Sequence, residues 1–173
     1  MKKLLVLLLA LAMLLCFTAC FDWDNRDRDE EDDTVEAPAT PEAAFDLWFE
    51  AMTTVADKEI TDATLPPEVL ETKGDDYYDE YVDGREEWLK SNREHYGQDV
   101  TFTYEILEKE TADEDALEEY RRILEEEFDI DSDSVKEAVE LTYEVKFHGS
   151  KEESSYENSV VMLKIDDAWY CYN

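Results

Sequence analysis

The sequence is poor in glycine, proline, histidine and positive charge. Its 173 residues include only 4 Gly, 4 Pro and 2 His, and 16 Lys and Arg stand against 48 Asp and Glu, for a formal charge of −32. So few glycines exclude collagen-like and Gly-rich low-complexity chains. The negative charge argues against nucleic acid as a partner, because phosphate binding requires a basic surface. In contrast, 43% of the residues are hydrophobic, which predicts a folded core.

The N-terminal 20 residues combine a positive start, an apolar run and a short ending with small side chains. Lys2 and Lys3 precede the apolar run Leu4–Phe17. That run is too short to cross a bilayer, which takes about 20 apolar residues, but it has the length of a signal-peptide core. The segment Phe17-Thr-Ala-Cys20 resembles the lipobox of bacterial lipoproteins, in which a small residue precedes the cysteine that carries lipid.

The resemblance to lipoproteins implies that residues 1–19 are a cleaved signal peptide and that Cys20 carries diacylglycerol and a further acyl chain. Two acyl chains anchor a protein stably, whereas one binds only marginally. The membrane is therefore an expected partner, and the expected location is the extracytoplasmic face of a bacterial cell membrane. The alternative is an ordinary cleaved signal peptide in which Cys20 is incidental.

Residues 20–40 are predicted to be a tether between the lipid and a single domain over residues 41–173. Nine acids lie between Asp22 and Glu36, with only two arginines among them. Blocks of like charge repel themselves and stay extended. An acidic tail that binds cations or a basic partner is the alternative interpretation.

Two helices are predicted before the first strand. Thr40-Pro-Glu42 has the N-cap, first-turn proline and acid of a helix start, and an apolar stripe at helical spacing follows. Residues 57–67 are predicted to be a break. A second helix follows Gly74, with Gly84 as a possible interruption and Tyr96-Gly97 as its end.

The second half of the sequence alternates apolar and polar residues, as half-buried strands do. The predicted strands are 100–106, 139–147, 156–165 and 168–173, the last two joined by a turn at 166–167. A capping box from Thr111 to Glu114 is predicted to open a helix that ends near Phe128. The order α-α-β-α-β-β-β predicts an α+β fold with N-terminal helices packed on a bent antiparallel sheet.

The element order resembles the nuclear transport factor 2-like, cystatin-like superfamily. The ending from Val161 to Tyr170, with Asp166-Asp-Ala-Trp-Tyr, is similar to the ending common in uncharacterised lipoproteins of that superfamily; Asp167 replaces the usual turn glycine. The resemblance implies a cone in which the sheet wraps around the first helices and encloses a cavity. The aromatic residues expected to line that cavity are Trp48, Trp88, Tyr104, Tyr143 and Trp169.

No familiar catalytic motif is present in the sequence, which lacks the nucleophile elbow, the phosphate-binding loop and the His-Glu-x-x-His pattern. His95 and His148 are predicted to face solvent, and Cys171 is predicted to be a small buried hydrophobe. The favoured function is a non-enzymatic, lipid-anchored binding domain for an unidentified protein or small molecule. No catalytic residue, cofactor or metal is predicted for it.

Two other functions remain open at the level of sequence. The first is an isomerase or dehydratase in which Asp75 or Asp76, beside Tyr77 and Tyr78, polarises a carbonyl group. The second is a calcium-dependent envelope module. The window 129–140 has acids at positions 1, 3, 5 and 12 of a calcium loop, but a serine stands where the loop requires glycine.

Overall fold

The computed structural model describes residues 35–74 and 76–172. The signal peptide, Cys20 and most of the predicted tether lie outside the described residues, as do Asp75 and Asn173. The described chain has an α+β fold with an antiparallel sheet, which confirms the predicted class. Its helices are α1 (Pro41–Thr53), α2 (Lys58–Asp62), α3 (Pro67–Lys73), α4 (Tyr77–Tyr96) and α5 (Glu114–Phe128).

The sheet has four strands in the order β1-β2-β3-β4, and all neighbours are antiparallel. The strands are β1 (Thr101–Thr111), β2 (Val135–His148), β3 (Glu153–Ile165) and β4 (Ala168–Tyr172). The predicted starts of β2 and β3 are therefore wrong by four and three residues. Both strands are longer because each offers the other a pairing partner, from Val135 opposite Ile165 to His148 opposite Glu153.

The bounds of several helices differ from the prediction, because contacts between distant segments influence where helices form. The expected break over 57–67 contains the short helix α2, and α3 begins at Pro67. Gly84 does not interrupt α4, which runs for 20 residues. The capping box at Thr111 is wrong, because Thr111 is the last residue of β1 and the cap is Asp113, whose carboxylate accepts from the amide of Ala116 at 2.9 Å.

Other local signals are confirmed. The Thr40 hydroxyl accepts from the amide of Ala43 at 3.1 Å, so α1 begins where the sequence predicts. Gly97 ends α4 with a φ of 125°, which glycine adopts without steric cost.

The β3–β4 turn differs from the expectation. The positive φ of 52° falls on Asp166 rather than on Asp167, where the turn glycine was expected.

The sheet buries apolar residues on both faces. One core cluster joins α1 to one face, with Phe45 of α1 against Tyr143 of β2 and Met162 of β3. The other cluster joins α3 and α5 to the opposite face and includes Leu163, the residue next to Met162. The segment before α1 also contacts the sheet, because Pro38, placed in the tether by sequence, accepts at 2.9 Å from the amide of Trp169.

Candidate functional site

One pocket, which we call the main pocket, lies where the four N-terminal helices meet β4. Its volume is about 470 Å³. The residues that line it come from α1, α2, the α2–α3 loop, α3, α4 and β4; they are Trp48, Ala51, Met52, Thr61, Thr64, Leu65, Lys73, Tyr77, Glu80, Tyr81, Arg85 and Cys171. The wall is thus about half apolar and half polar, with the apolar side chains mainly from α1 and the charged ones from α3 and α4.

Side chains of α4 fix the wall that α1 contributes. The Tyr81 hydroxyl donates to the carbonyl of Ala51 at 2.7 Å, and Nη1 of Arg85 donates to the carbonyl of Met52 at 2.7 Å. Both carbonyls belong to the last turn of α1, where helix carbonyls have no partner within their own helix. These two bonds hold the end of α1 against α4, so the pocket is preformed.

Arg85 is the most unusual polar residue of the pocket. Its Nε is buried and has no hydrogen-bond partner among the described residues. The guanidinium carbon lies 5.8 Å from the ring centre of Tyr81 and 5.5 Å from that of Trp88, within the range of a cation–π contact. Lys73 is a second cation in the lining, and Glu80 is the acid.

Tyr77 pairs with a carboxylate that the sequence did not single out. Its hydroxyl donates to Asp62 of α2, and Nζ of Lys58 lies 2.7 Å from the same carboxylate. Burial, together with the hydrogen bond and charge of Asp62, raises the pKa of Tyr77, so the phenol stays protonated. Asp76, which the isomerase hypothesis places beside Tyr77, is exposed.

Three of the five predicted pocket aromatics share a second, smaller groove. Trp48, Trp88 and Tyr143 line a space of about 40 Å³, together with Tyr156. Trp48 alone among the five predicted aromatics also lines the main pocket. The ring of Trp48 lies 6.1 Å from that of Tyr143, edge to face. This small groove is thus lined mainly by aromatic residues and shares Trp48 with the main pocket.

The other two predicted aromatics lie elsewhere. Tyr104 packs edge-on against Phe45, with ring centres 4.7 Å apart, and its hydroxyl donates to Asp46. Trp169 is 5% exposed and sits in the core, with Nζ of Lys164 5.9 Å from its ring. Neither residue lines either of these two spaces.

The predicted positions of the histidines and of Cys171 are confirmed. His95 is exposed, with its Nε2 3.6 Å from Glu152, and His148 is exposed, with its Nε2 3.1 Å from the hydroxyl of Thr103. Cys171 is 8% exposed at the base of the main pocket, and burial raises the pKa of its thiol well above the usual range. The thiol is therefore protonated and is a poor nucleophile.

The window 129–140 does not fold as a calcium loop. Asp129 ends α5 in the left-handed conformation, with a φ of 56°. The Asp131 carboxylate accepts from the amide of Asp133 at 2.9 Å, which caps a single 3-10 turn, and Glu140 lies inside β2. Within residues 35–74 and 76–172, no three His, Cys, Asp or Glu side chains lie close enough together to hold a metal ion.

Arg85 was not singled out from the sequence, although a pattern for it exists. Tyr77, Tyr81 and Arg85 are spaced four residues apart, which places them on one face of α4. The other lining residues come from separate elements, and no local pattern connects them.

Comparisons of the chain with known protein families, curated proteins and solved structures found no match. Across the part of the chain that the structure describes, none of the helices has both the length and the apolar character that crossing a bilayer takes.

Proposed function

We propose that this protein is a non-enzymatic binding domain, held at the extracytoplasmic face of a bacterial membrane by lipid on Cys20, and that the main pocket is its ligand site. The observation that carries the binding function is the preformed pocket of about 470 Å³. Small-molecule sites occupy about 300–1,000 Å³ and combine apolar walls with a few well-placed polar groups. The main pocket has a volume in this range, and it sets apolar side chains of α1 opposite charged groups of α3 and α4.

The polar groups of the pocket suit binding better than catalysis. The hydroxyl of Tyr77 is engaged by Asp62, and that of Tyr81 by Ala51, so neither is poised to polarise a substrate carbonyl. Cys171 is held as a thiol by burial. Arg85 and Lys73 offer charge and hydrogen-bond donors, which orient a ligand without reacting with it. The cone architecture of nuclear transport factor 2-like domains remains a prediction for this chain.

The binding function is tested by methyl NMR of the full chain in phospholipid nanodiscs. Fragments, neutral and charged, are added singly, and the Ala51 and Met52 methyl signals report on the pocket. The proposal predicts that some fragments shift these signals. Ala51→Leu, which fills the pocket, should abolish the shift of the remaining reporter, the Met52 methyl. Ala43→Leu is the matched control on the same helix, because Ala43 does not line the pocket. A screen that leaves the pocket methyls unmoved would refute the proposed function.

The lipid anchor is tested separately. Cys20→Ala should abolish partitioning of the expressed protein into the detergent phase, because the lipid-bearing side chain is removed. Cys16→Ala is the control, since Cys16 is preceded by Leu15, a bulky residue where the lipobox has a small one. Continued partitioning of the Cys20→Ala protein would contradict lipidation at this residue.

A further inference from the structure

Arg85 presents an incomplete set of hydrogen bonds to the pocket. Its Nη1 donates to the carbonyl of Met52, whereas Nε is buried without a partner among the described residues. Buried donors without acceptors are few in folded proteins, and each one calls for an explanation such as a bound ion or ligand. Residues 35–74 and 76–172 therefore supply no acceptor for Nε of Arg85.

The free edge of the guanidinium defines the kind of acceptor. With Nη1 committed to Met52, the edge formed by Nε and Nη2 remains. Nε is covered in the ligand-free protein, so the guanidinium has to turn slightly to bring this edge to the pocket. Two parallel donors on one edge then match the two oxygens of a carboxylate. The nearby rings of Tyr81 and Trp88 restrict the guanidinium plane. We infer that the pocket takes a carboxylate on an apolar body, and that Arg85 binds its two oxygens. This inference rests on the proposed binding function.

The charge around the pocket supports an anionic ligand. Among the described residues of the lining, Lys73 and Arg85 are cations and Glu80 is an acid. The whole chain has the opposite balance, with 48 acids and 16 bases. On so acidic a protein, a pocket in which described cations outnumber described acids favours an anion.

The apolar part of the ligand follows from the rest of the wall. Trp48, Ala51, Met52 and Leu65 supply aromatic and aliphatic surface on the side of α1 and the α2–α3 loop. A ligand with both parts buries its apolar body against this surface while its carboxylate reaches Arg85. A suitable probe is 4-phenylbutyrate, and its neutral counterpart of the same shape is 4-phenylbutyramide.

The test compares the two probes by methyl NMR titration of the full chain in nanodiscs. We expect the carboxylate to bind at least about tenfold more tightly than the amide, because a charge-assisted pair is lost in the amide. Arg85→Gln should remove the preference, and Arg85→Lys should keep part of it, since lysine retains the charge but not the fork. Arg93→Gln, also on α4 but away from this pocket, is the matched control.

Two further measurements distinguish a loss of binding from a loss of folding. Arg85→Gln gives up the bond to Met52, so its thermal unfolding is measured alongside. Lys73→Gln gives up a cation on an exposed residue at the end of α3 and should weaken carboxylate binding about two- to fivefold without changing the amide.

The outcomes separate this inference from the proposed function. Equal binding of the two probes, or binding of neutral fragments alone, would overturn the carboxylate assignment and leave the pocket as a ligand site. A preference for the carboxylate that survives in Arg85→Gln would overturn the role of Arg85. Pocket methyls that respond neither to the probes nor to any fragment would overturn the proposed function and this inference together.

Discussion

The hydroxyl of Tyr81 donates a 2.7 Å hydrogen bond to the carbonyl oxygen of Ala51, a residue 30 positions earlier in the chain. The phenolic oxygen of Tyr81 in turn accepts from the amide of Ala56 at 3.3 Å. One phenol therefore connects α4 to the last turn of α1 and to the loop that follows. The wall of the main pocket depends on this contact.

Removing the Tyr81 hydroxyl tests that dependence. Tyr81→Phe leaves the ring in place but leaves the Ala51 carbonyl without its donor, and we expect a loss of about 1–2 kcal/mol in the free energy of unfolding. Urea denaturation measures it. Tyr156→Phe is the control, because that side chain is on a residue that is 51% exposed and should change stability by less than about 0.5 kcal/mol. Equal effects of the two variants would show that the hydroxyl of Tyr81 is dispensable.

The structure and the sequence pattern name different N-cap residues for α5, Asp113 and Thr111, and two variants distinguish them. Asp113→Ala removes the carboxylate that accepts from the amide of Ala116 and should cost about 1 kcal/mol. Thr111→Ala, at the end of β1, should cost less than half of that. Thermal or urea unfolding of both variants decides the matter, and the reverse order would restore the capping box at Thr111.

Acid stability reports on the ion pair between Glu42 of α1 and Lys109 of β1. Nζ of Lys109 lies 2.7 Å from Glu42, and this hydrogen bond holds the pKa of Glu42 below its usual value of 4.5. A carboxyl whose pKa falls on folding stabilises the protein above its unfolded pKa, and that stabilisation disappears as the pH falls through the folded pKa.

Lys109→Gln should therefore lower the free energy of unfolding at pH 7, with the difference from wild type shrinking towards pH 3. The difference should also shrink in high salt, because the pair is half exposed. NMR titration of the Glu42 carboxyl should show its pKa rising in the variant. A pKa of Glu42 that is the same in both proteins would contradict the pairing.

Burial of Cys171 predicts that its thiol is alkylated slowly in the native protein. The residue is 8% exposed and burial raises the pKa of the thiol, so little thiolate is available for alkylation. Peptide mapping after iodoacetamide treatment at pH 8 should find Cys171 unmodified in the native protein and fully modified in urea. Rapid native labelling at this residue would mean that the base of the pocket opens.

Local signals in the sequence account for much of the fold. Thr40 and Pro41 determine where α1 begins, Gly97 determines where α4 ends, and the alternation from Val139 to Phe147 identifies β2, because each feature depends on residues close together in the chain. The two-sided burial of β3 was visible in the adjacent valines 160 and 161. The class α+β follows from these elements.

The helices α2 and α3 were not predicted, because helices of five and seven residues are too short to be stable alone. They form because Thr61 and Val69 are buried against the rest of the protein. For the same reason the pocket was predicted only in outline. Trp48, one of the aromatics expected to line a cavity, borders the main pocket, whereas Arg85 and Lys73 reach it through contacts between distant segments.

The most direct test of the carboxylate site is a crystal structure of the protein soaked with 4-phenylbutyrate. We expect the ligand in the main pocket, with the guanidinium of Arg85 turned so that Nε and Nη2 lie about 2.7–2.9 Å from the carboxylate oxygens, and with the phenyl ring against Trp48. A ligand bound elsewhere, or one whose carboxylate points away from Arg85, would contradict it.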